Sequence, residues 1–122
     1  MIGYLTIGTN NLERATAFYD DLLSGIGAAR AFQTDELTVW GFGEGSTLFT
    51  VTKPYDKNEA TVGNGVMVAL SAENPEAIDI LHAKALELGA TNEGDPGPRG
   101  KNFYAAYFRD PDGNKLNFFC YT

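Results

Sequence analysis

Few side chains in this sequence combine the type and spacing that catalysis demands. The single histidine, His82, lies in Ile80-Leu81-His82-Ala83, a stretch with helical periodicity, so it reads as a helix-surface or helix-packing residue. The single cysteine, Cys120, closes a strand-like run and reads as a small buried apolar side chain. A Ser-His-Asp or Cys-His arrangement needs a base within hydrogen-bond reach of the nucleophile, and neither residue has that setting. Asp110 and Asp112 are neighbours, but they belong to Asp110-Pro111-Asp112-Gly113-Asn114. Proline fixes φ there, the acidic and amide side chains bond nearby backbone, and glycine supplies positive φ, which is the chemistry of a hairpin turn. The two carboxylates are therefore expected to be structural, not an acid/base pair. No Walker loop occurs, and Gly41-Phe42-Gly43-Glu44-Gly45 sits between strands, the wrong place for a dinucleotide turn. Catalytic residues are not identifiable from the sequence.

What the residue types do support is binding. Glu93-Gly94-Asp95-Pro96-Gly97-Pro98-Arg99-Gly100-Lys101-Asn102 reads as a Gly/Pro-rich loop holding two cations. The planar donor fork of Arg99 suits a carboxylate or phosphate on a ligand, with a solvated surface arginine as the plain alternative. Tyr4, Trp40, Phe49, Met67, Tyr107, Asn117 and Phe119 would make an aromatic and polar lining for flat or apolar molecules. The competing reading is that these aromatics fill the core or a dimer contact.

These residues need a scaffold, and the sequence writes it twice. Gly3-Tyr4-Leu5-Thr6-Ile7-Gly8 alternates like a half-buried strand. A helix should run from Leu12 to about Leu23, capped by Asn10 or Asn11, with Ala15, Phe18, Tyr19, Leu22 and Leu23 as its apolar stripe, and Gly25 and Gly27 should end it. Strand-like segments follow at Ala31 to Phe32, Leu37 to Phe42 and Thr47 to Thr52. The second half repeats the plan. Val66 to Leu70 is a strand, and Asn74-Pro75-Glu76 starts a helix buried through Ala77, Ile78, Leu81, Ala85 and Leu88 and stopped by Gly89. Ala90 to Glu93, Phe103 to Arg109 and Lys115 to Tyr121 are its strands. The polar linker from Lys53 to Gly65 contains Gly63-Asn64-Gly65, a turn in which Asn64 tolerates positive φ. Each half is a βαβββ unit.

Composition bounds the partners. With 122 residues, 43% of them hydrophobic, the chain can bury one ordinary core. A formal net charge of −7 disfavours nucleic acid and anionic membrane surfaces, both of which need clustered Lys and Arg. The single cysteine permits no intrachain disulfide and fits a reducing compartment. The opening segment lacks a basic stretch followed by an apolar one, and no run reaches membrane-spanning length, so the expected location is the cytoplasm.

Leu12-Glu13-Arg14-Ala15-Thr16-Ala17-Phe18-Tyr19 after a first strand, with Arg109-Asp110-Pro111-Asp112-Gly113-Asn114 before the last, resembles the vicinal oxygen chelate superfamily. That group includes glyoxalase I, bleomycin-resistance proteins and extradiol dioxygenases. The resemblance implies an α+β fold in which two tandem βαβββ modules form a curved, cup-like mixed sheet with the helices outside. It implies a single domain, 1–122, with module one at about 1–60 and module two at about 61–122. It also implies a homodimer. It is a guide to fold and a poor guide to activity.

The resemblance further implies a divalent metal bound at four pseudo-equivalent places, usually by His, Gln and Glu. Matching this sequence to that pattern puts Tyr4 at the first place, Phe49 at the second, Met67 at the third and Asn117 at the fourth. A thioether and a neutral amide cannot hold a hard divalent ion, a neutral phenol is a poor ligand, and Phe49 has no donor atom. A slip of one residue gives Val66 or Val68, and Leu116 or Phe118, none of them a ligand. The expectation is no metal and no cofactor. The reading is a glyoxalase/bleomycin-resistance-like protein that binds a small organic molecule in an aromatic-lined cavity. One alternative is a lyase, isomerase or dioxygenase of the same superfamily with an atypical or displaced site. Another is a structural partner domain whose cavity Phe49 and Met67 fill.

Overall fold

Alternation and capping in the sequence give the elements directly. A computed structural model describes residues 1–122, and they divide into two compact units, Met1–Val62 and Gly63–Thr122. The first contains β1 (Tyr4–Gly8), α1 (Leu12–Ser24), β2 (Ala29–Gln33), β3 (Leu37–Gly41) and β4 (Leu48–Thr52), with strand order β1-β4-β3-β2. The second contains β5 (Val68–Ser71), α2 (Pro75–Glu87), β6 (Thr91–Pro98), β7 (Phe103–Arg109) and β8 (Lys115–Tyr121), in the order β5-β8-β7-β6. In each sheet the opening strand runs parallel to the last and the other pairs are antiparallel, so both sheets are mixed and the fold is α+β. No helix is long and apolar enough to cross a membrane.

The helices begin where asparagines can accept their free N–H groups. Asn11 caps α1, its side-chain oxygen accepting from the Arg14 N–H at 3.0 Å. Asn10 instead ties down the end of the unit, donating to the Ala60 carbonyl at 3.1 Å and accepting from the Ala60 N–H at 2.7 Å. Asn74 caps α2 through the Ala77 N–H at 2.8 Å, with Pro75 in the first turn, where a missing N–H costs nothing.

Each helix lays its apolar stripe on one face of its own sheet. In the first unit Ala15, Phe18, Tyr19, Leu22 and Leu23 of α1 are buried, and the Tyr19 ring lies 4.9 Å from Phe49 and 5.8 Å from Trp40. In the second, Ile78, Leu81, His82 and Ala85 of α2 are buried over a sheet face carrying Leu116 and the stacked pair Phe108 and Phe118, whose rings are 5.5 Å apart. Fully burying one such side chain is worth about 1.5–3 kcal/mol, so these stripes hold the helices in place.

Three local differences from the sequence reading have physical causes. The Gly/Pro-rich segment after Asn92 is strand: β6 continues to Pro98. It is the marginal strand of its sheet and shifts register between Asn92 and Gly94 and again between Gly94 and Gly97. A marginal, bulged strand tolerates proline, because the missing N–H is not needed inside a ladder. Met67 stands just before β5, which starts at Val68. In the 63–66 turn Gly65 takes the positive φ, at 100°, in place of Asn64, and the Val66 N–H closes back on the Gly63 carbonyl at 3.3 Å. A turn of this kind needs its left-handed residue at the third position, where glycine is free of Cβ strain.

The Asp110 turn is a closed hydrogen-bond unit. Its Oδ1 accepts from the N–H groups of Asp112 and Asn114, each at 2.9 Å, and Oδ2 accepts from the Asn114 amide at 3.0 Å. The carboxylate is buried and committed to shaping the β7–β8 hairpin.

Candidate functional site

Side chains on a strand alternate between faces, so the helix contacts identify which residues stand on the other side. In the second unit Leu116, Phe118, Phe108 and Ala106 lie beneath α2. Lys115, Asn117, Phe119 and Tyr121 of β8 therefore share the helix-free face. Their β7 partners on that face are Arg109, Tyr107, Ala105 and Phe103. Ala69 of β5 flanks Asn117, and Gly94 of β6 flanks Tyr107.

This face divides along β8 into a polar end and an aromatic end. At the aromatic end Phe103 stacks on Phe119 at 5.6 Å, and Tyr121 meets both, at 5.8 Å and 5.7 Å. Tyr107 and Asn117 occupy the middle as a cross-strand pair. Around Tyr107, the Arg99 guanidinium carbon lies 5.5 Å from the ring centroid and the Lys115 ammonium 5.6 Å from it, both within cation–π range. Asn117 is only 1% exposed, and its side-chain oxygen is buried with no hydrogen-bond partner. An unpartnered buried acceptor costs about 1–3 kcal/mol, so it is a feature that stability alone disfavours.

Arg99 is held by the end of β6, just before it in the chain. It donates to the carbonyls of Gly97 at 3.0 Å, Pro98 at 3.3 Å and Asp95 at 2.6 Å. Gly94 and Gly97 make room for it: a Cβ on Gly94 would stand 3.1 Å from the Tyr107 ring, and one on Gly97 would stand 3.2 Å from the Arg99 guanidinium. Arg99 therefore acts first as a brace between β6 and Tyr107. Arg109 is paired with Glu93 at 2.8 Å and also donates to the Gly113 carbonyl at 3.1 Å. The hydrogen bond and charge of Arg109 hold the Glu93 carboxyl below its ordinary range. Beneath Tyr107, on the helix side, the buried His82 ring makes a 3.1 Å hydrogen bond with the Tyr107 carbonyl oxygen and so helps fix that strand.

The first unit places the sequence-derived candidates differently. Tyr4 stands at the start of β1, 68% exposed, on the face away from α1. Trp40 and Phe49 do not share that face. They are cross-strand partners, 6.1 Å apart, buried against Tyr19 of α1, and the Trp40 indole N–H donates to Asp20 Oδ1 at 2.9 Å. Both are core residues, which corrects their expected place in a ligand cavity.

The error at Phe49 has a simple origin. The β3–β4 connection spans residues 42–47, whereas β7–β8 spans 110–114, one residue fewer. Working back from each turn, Trp40 and Phe49 correspond to Phe108 and Leu116, all helix-facing. The residue that corresponds to Asn117 is Thr50, which pairs with Val39 as Asn117 pairs with Tyr107. Tyr4 and Met67 do correspond, since Leu5 pairs with Phe49 as Val68 pairs with Leu116.

Two features of the second face escape the sequence reading. Lys115 lies two residues from Asn117, and period-two alternation alone places it on the same side. Phe103 and Tyr121 follow from the hairpin register, which only pairing reveals. A groove of about 660 Å³ lies on the α1 side of the first unit, lined among others by Thr16, Asp20, Arg30 and Thr38. Several of its polar groups bond one another. Thr16 and Thr38 share a 2.9 Å hydrogen bond, and Asp20 binds both Arg30 and Trp40. It reads as a structural crevice.

Comparison with known proteins agrees with this geometry. The model of the Glyoxalase/Bleomycin resistance protein/Dioxygenase superfamily matches residues 1–118. The chain belongs to that superfamily. It is similar to a glyoxalase/bleomycin resistance protein from Albidiferax ferrireducens, with 35% identity and a TM-score of 0.89 over 98% of this chain and 97% of that one. A glyoxalase/bleomycin resistance protein/dioxygenase family enzyme from Burkholderia phytofirmans shares the fold at 18% identity and a TM-score of 0.78, covering 96% of this chain and 95% of that one. Lactoylglutathione lyase from Agrobacterium tumefaciens does so at 19% identity and a TM-score of 0.72, covering 98% of this chain and 92% of that one. The comparison with curated proteins gave no match.

The superfamily implies a divalent metal, and the residues present do not suit one. The corresponding positions are Tyr4 and Thr50 in the first unit and Met67 and Asn117 in the second. They offer a phenol, a hydroxyl, a thioether and a neutral amide, none of which supplies charge or imidazole nitrogen to a hard ion. No group of three or more His, Cys, Asp or Glu side chains stands where it could hold an ion.

Proposed function

We propose that this chain is a glyoxalase/bleomycin-resistance-like protein that binds a small organic molecule without a conventional metal site. The observation that carries this reading is the buried, unpartnered oxygen of Asn117, standing where the superfamily commonly has a ligating carboxylate. A ligand that donates to it relieves a cost the fold otherwise bears. Phe103, Phe119 and Tyr121 supply flat apolar area beside it. Met67, which is exposed, and Tyr107 with its brace Arg99 complete the proposed contacts of the second unit, and the exposed Tyr4 is a proposed contact of the first. We propose a homodimer in the cytoplasm, a reading supported by the buried free thiol of Cys120 and by exposed apolar side chains such as Phe32 and Tyr55.

The test is elemental analysis of tag-free protein together with thermal unfolding in the presence of Zn, Ni, Mn or Fe and, separately, of aromatic small molecules. Ligand linkage predicts a rise of about 2.7 kcal/mol at a hundredfold excess over Kd for a molecule that binds, and no comparable metal effect. A stoichiometric ion with a concentration-dependent stabilisation overturns the metal-free reading.

A further inference from the structure

Resting on that binding reading, we infer that the ligand is an anion with a flat apolar body and a hydrogen-bond donor beside its charged group. The charge sits on Lys115, the donor on Asn117, and the body on Phe119 and its aromatic neighbours. The argument begins with the cations. The chain has nine Lys and Arg against sixteen Asp and Glu, so an uncompensated positive site is unexpected. Seven of the nine are exposed, and only Arg109 and Lys115 are partly buried. Arg109 is paired directly with Glu93, whereas Lys115 makes no direct ion pair and leans on the Tyr107 ring. Glu93 is the carboxylate that faces both Arg109 and Lys115, so two partly buried cations share one negative charge, and that surplus beside a buried acceptor without a donor is a paired deficit that one molecule can fill.

Spacing sets the shape of that molecule. Lys115, Asn117 and Phe119 are alternate residues of one strand, all on the helix-free face, with backbone origins about 7 Å apart, and the Lys115 ammonium closes the first step by reaching over the ring of Tyr107, the cross-strand partner of Asn117. The small residues Ala69 and Ala105 border this row on β5 and β7. A carboxylate at Lys115, a hydroxyl or amide N–H at Asn117 and a ring over Phe119 describe a substituted aromatic acid. Arg99 is a poorer anchor for the charge, since three of its donor contacts go to the backbone of β6.

The experiment is calorimetric titration of the full chain with three probes of one skeleton: 3-phenyllactate, 3-phenylpropanoate and 3-phenylpropanamide. The expected order of affinity is that order, with about tenfold at each step, as suits one charge-assisted contact and one buried hydrogen bond. Lys115→Met, which keeps the stem over Tyr107, should weaken both acids about tenfold and leave the amide unchanged. Asn117→Leu should erase the advantage of 3-phenyllactate over 3-phenylpropanoate. Equal binding of acid and amide, or acid binding indifferent to Lys115→Met, overturns the inference while leaving the small-molecule reading intact. No binding of any probe at 10-millimolar order, about the weakest contact such a face would make, overturns both.

Discussion

The indole N–H of Trp40 donates to Asp20 Oδ1 at 2.9 Å, joining β3 to α1 inside the first unit. The sole tryptophan of the chain is thus a reporter of that core. Its emission should be blue-shifted, and should not change when 3-phenyllactate binds the second unit. Asp20→Ala strands a buried N–H and should cost about 1–2 kcal/mol in urea unfolding.

Phe49 and Thr50 are adjacent, and the register separates their roles. Phe49→Ala empties the space against Tyr19 and should cost about 3–5 kcal/mol by chemical denaturation. Thr50→Ala, on the opposite face, removes one buried methyl-sized group and should cost about 1 kcal/mol. A mild Phe49→Ala beside a severe Thr50→Ala would reverse the assigned faces.

Asn117 should trade stability for binding. Replacing it by leucine removes the unpartnered oxygen in similar volume, and thermal unfolding should show a gain of about 1–2 kcal/mol. Sites that sacrifice stability in this way are characteristic of function.

Two surface contacts predict opposite pH responses. The Tyr104 hydroxyl donates to Asp79 at 2.7 Å, and that bond raises its pKa above the ordinary tyrosine value. Its stabilising contribution is complete below the unfolded tyrosine pKa and is lost as pH rises through the folded one. Glu93 is depressed by Arg109, so its contribution is complete above the unfolded carboxylate pKa and is lost as pH falls through the folded one. Tyr104→Phe should flatten the alkaline limb of stability against pH, and Glu93→Gln the acid limb. Unfolding series across pH check both.

Much of the fold is legible in the sequence because its signals are local. Asn11 and Asn74 cap their helices by chemistry confined to a few residues, and the stripe from Ala15 to Leu23 reads directly as helix. The superfamily is legible from the same local motifs. The face of Phe49 is not legible, since it depends on counting residues through a connection whose length differs between the two units. Nor is β6: prolines in Asp95-Pro96-Gly97-Pro98 argue against a strand until it is known that the strand is marginal and bulged. Lys115 is missed for a different reason, because its significance lies in the direct ion pair it does not make and the Tyr107 ring it leans on, and only coordinates reveal those.

The proline-bearing, twice-shifted β6 has one more consequence. Pro96 and Pro98 offer no N–H outward, and each bulge breaks the regular spacing that a neighbouring chain would have to match. That rim is a poor template for edge-to-edge aggregation, so the segment that braces Arg99 also guards the protein against amyloid-like stacking.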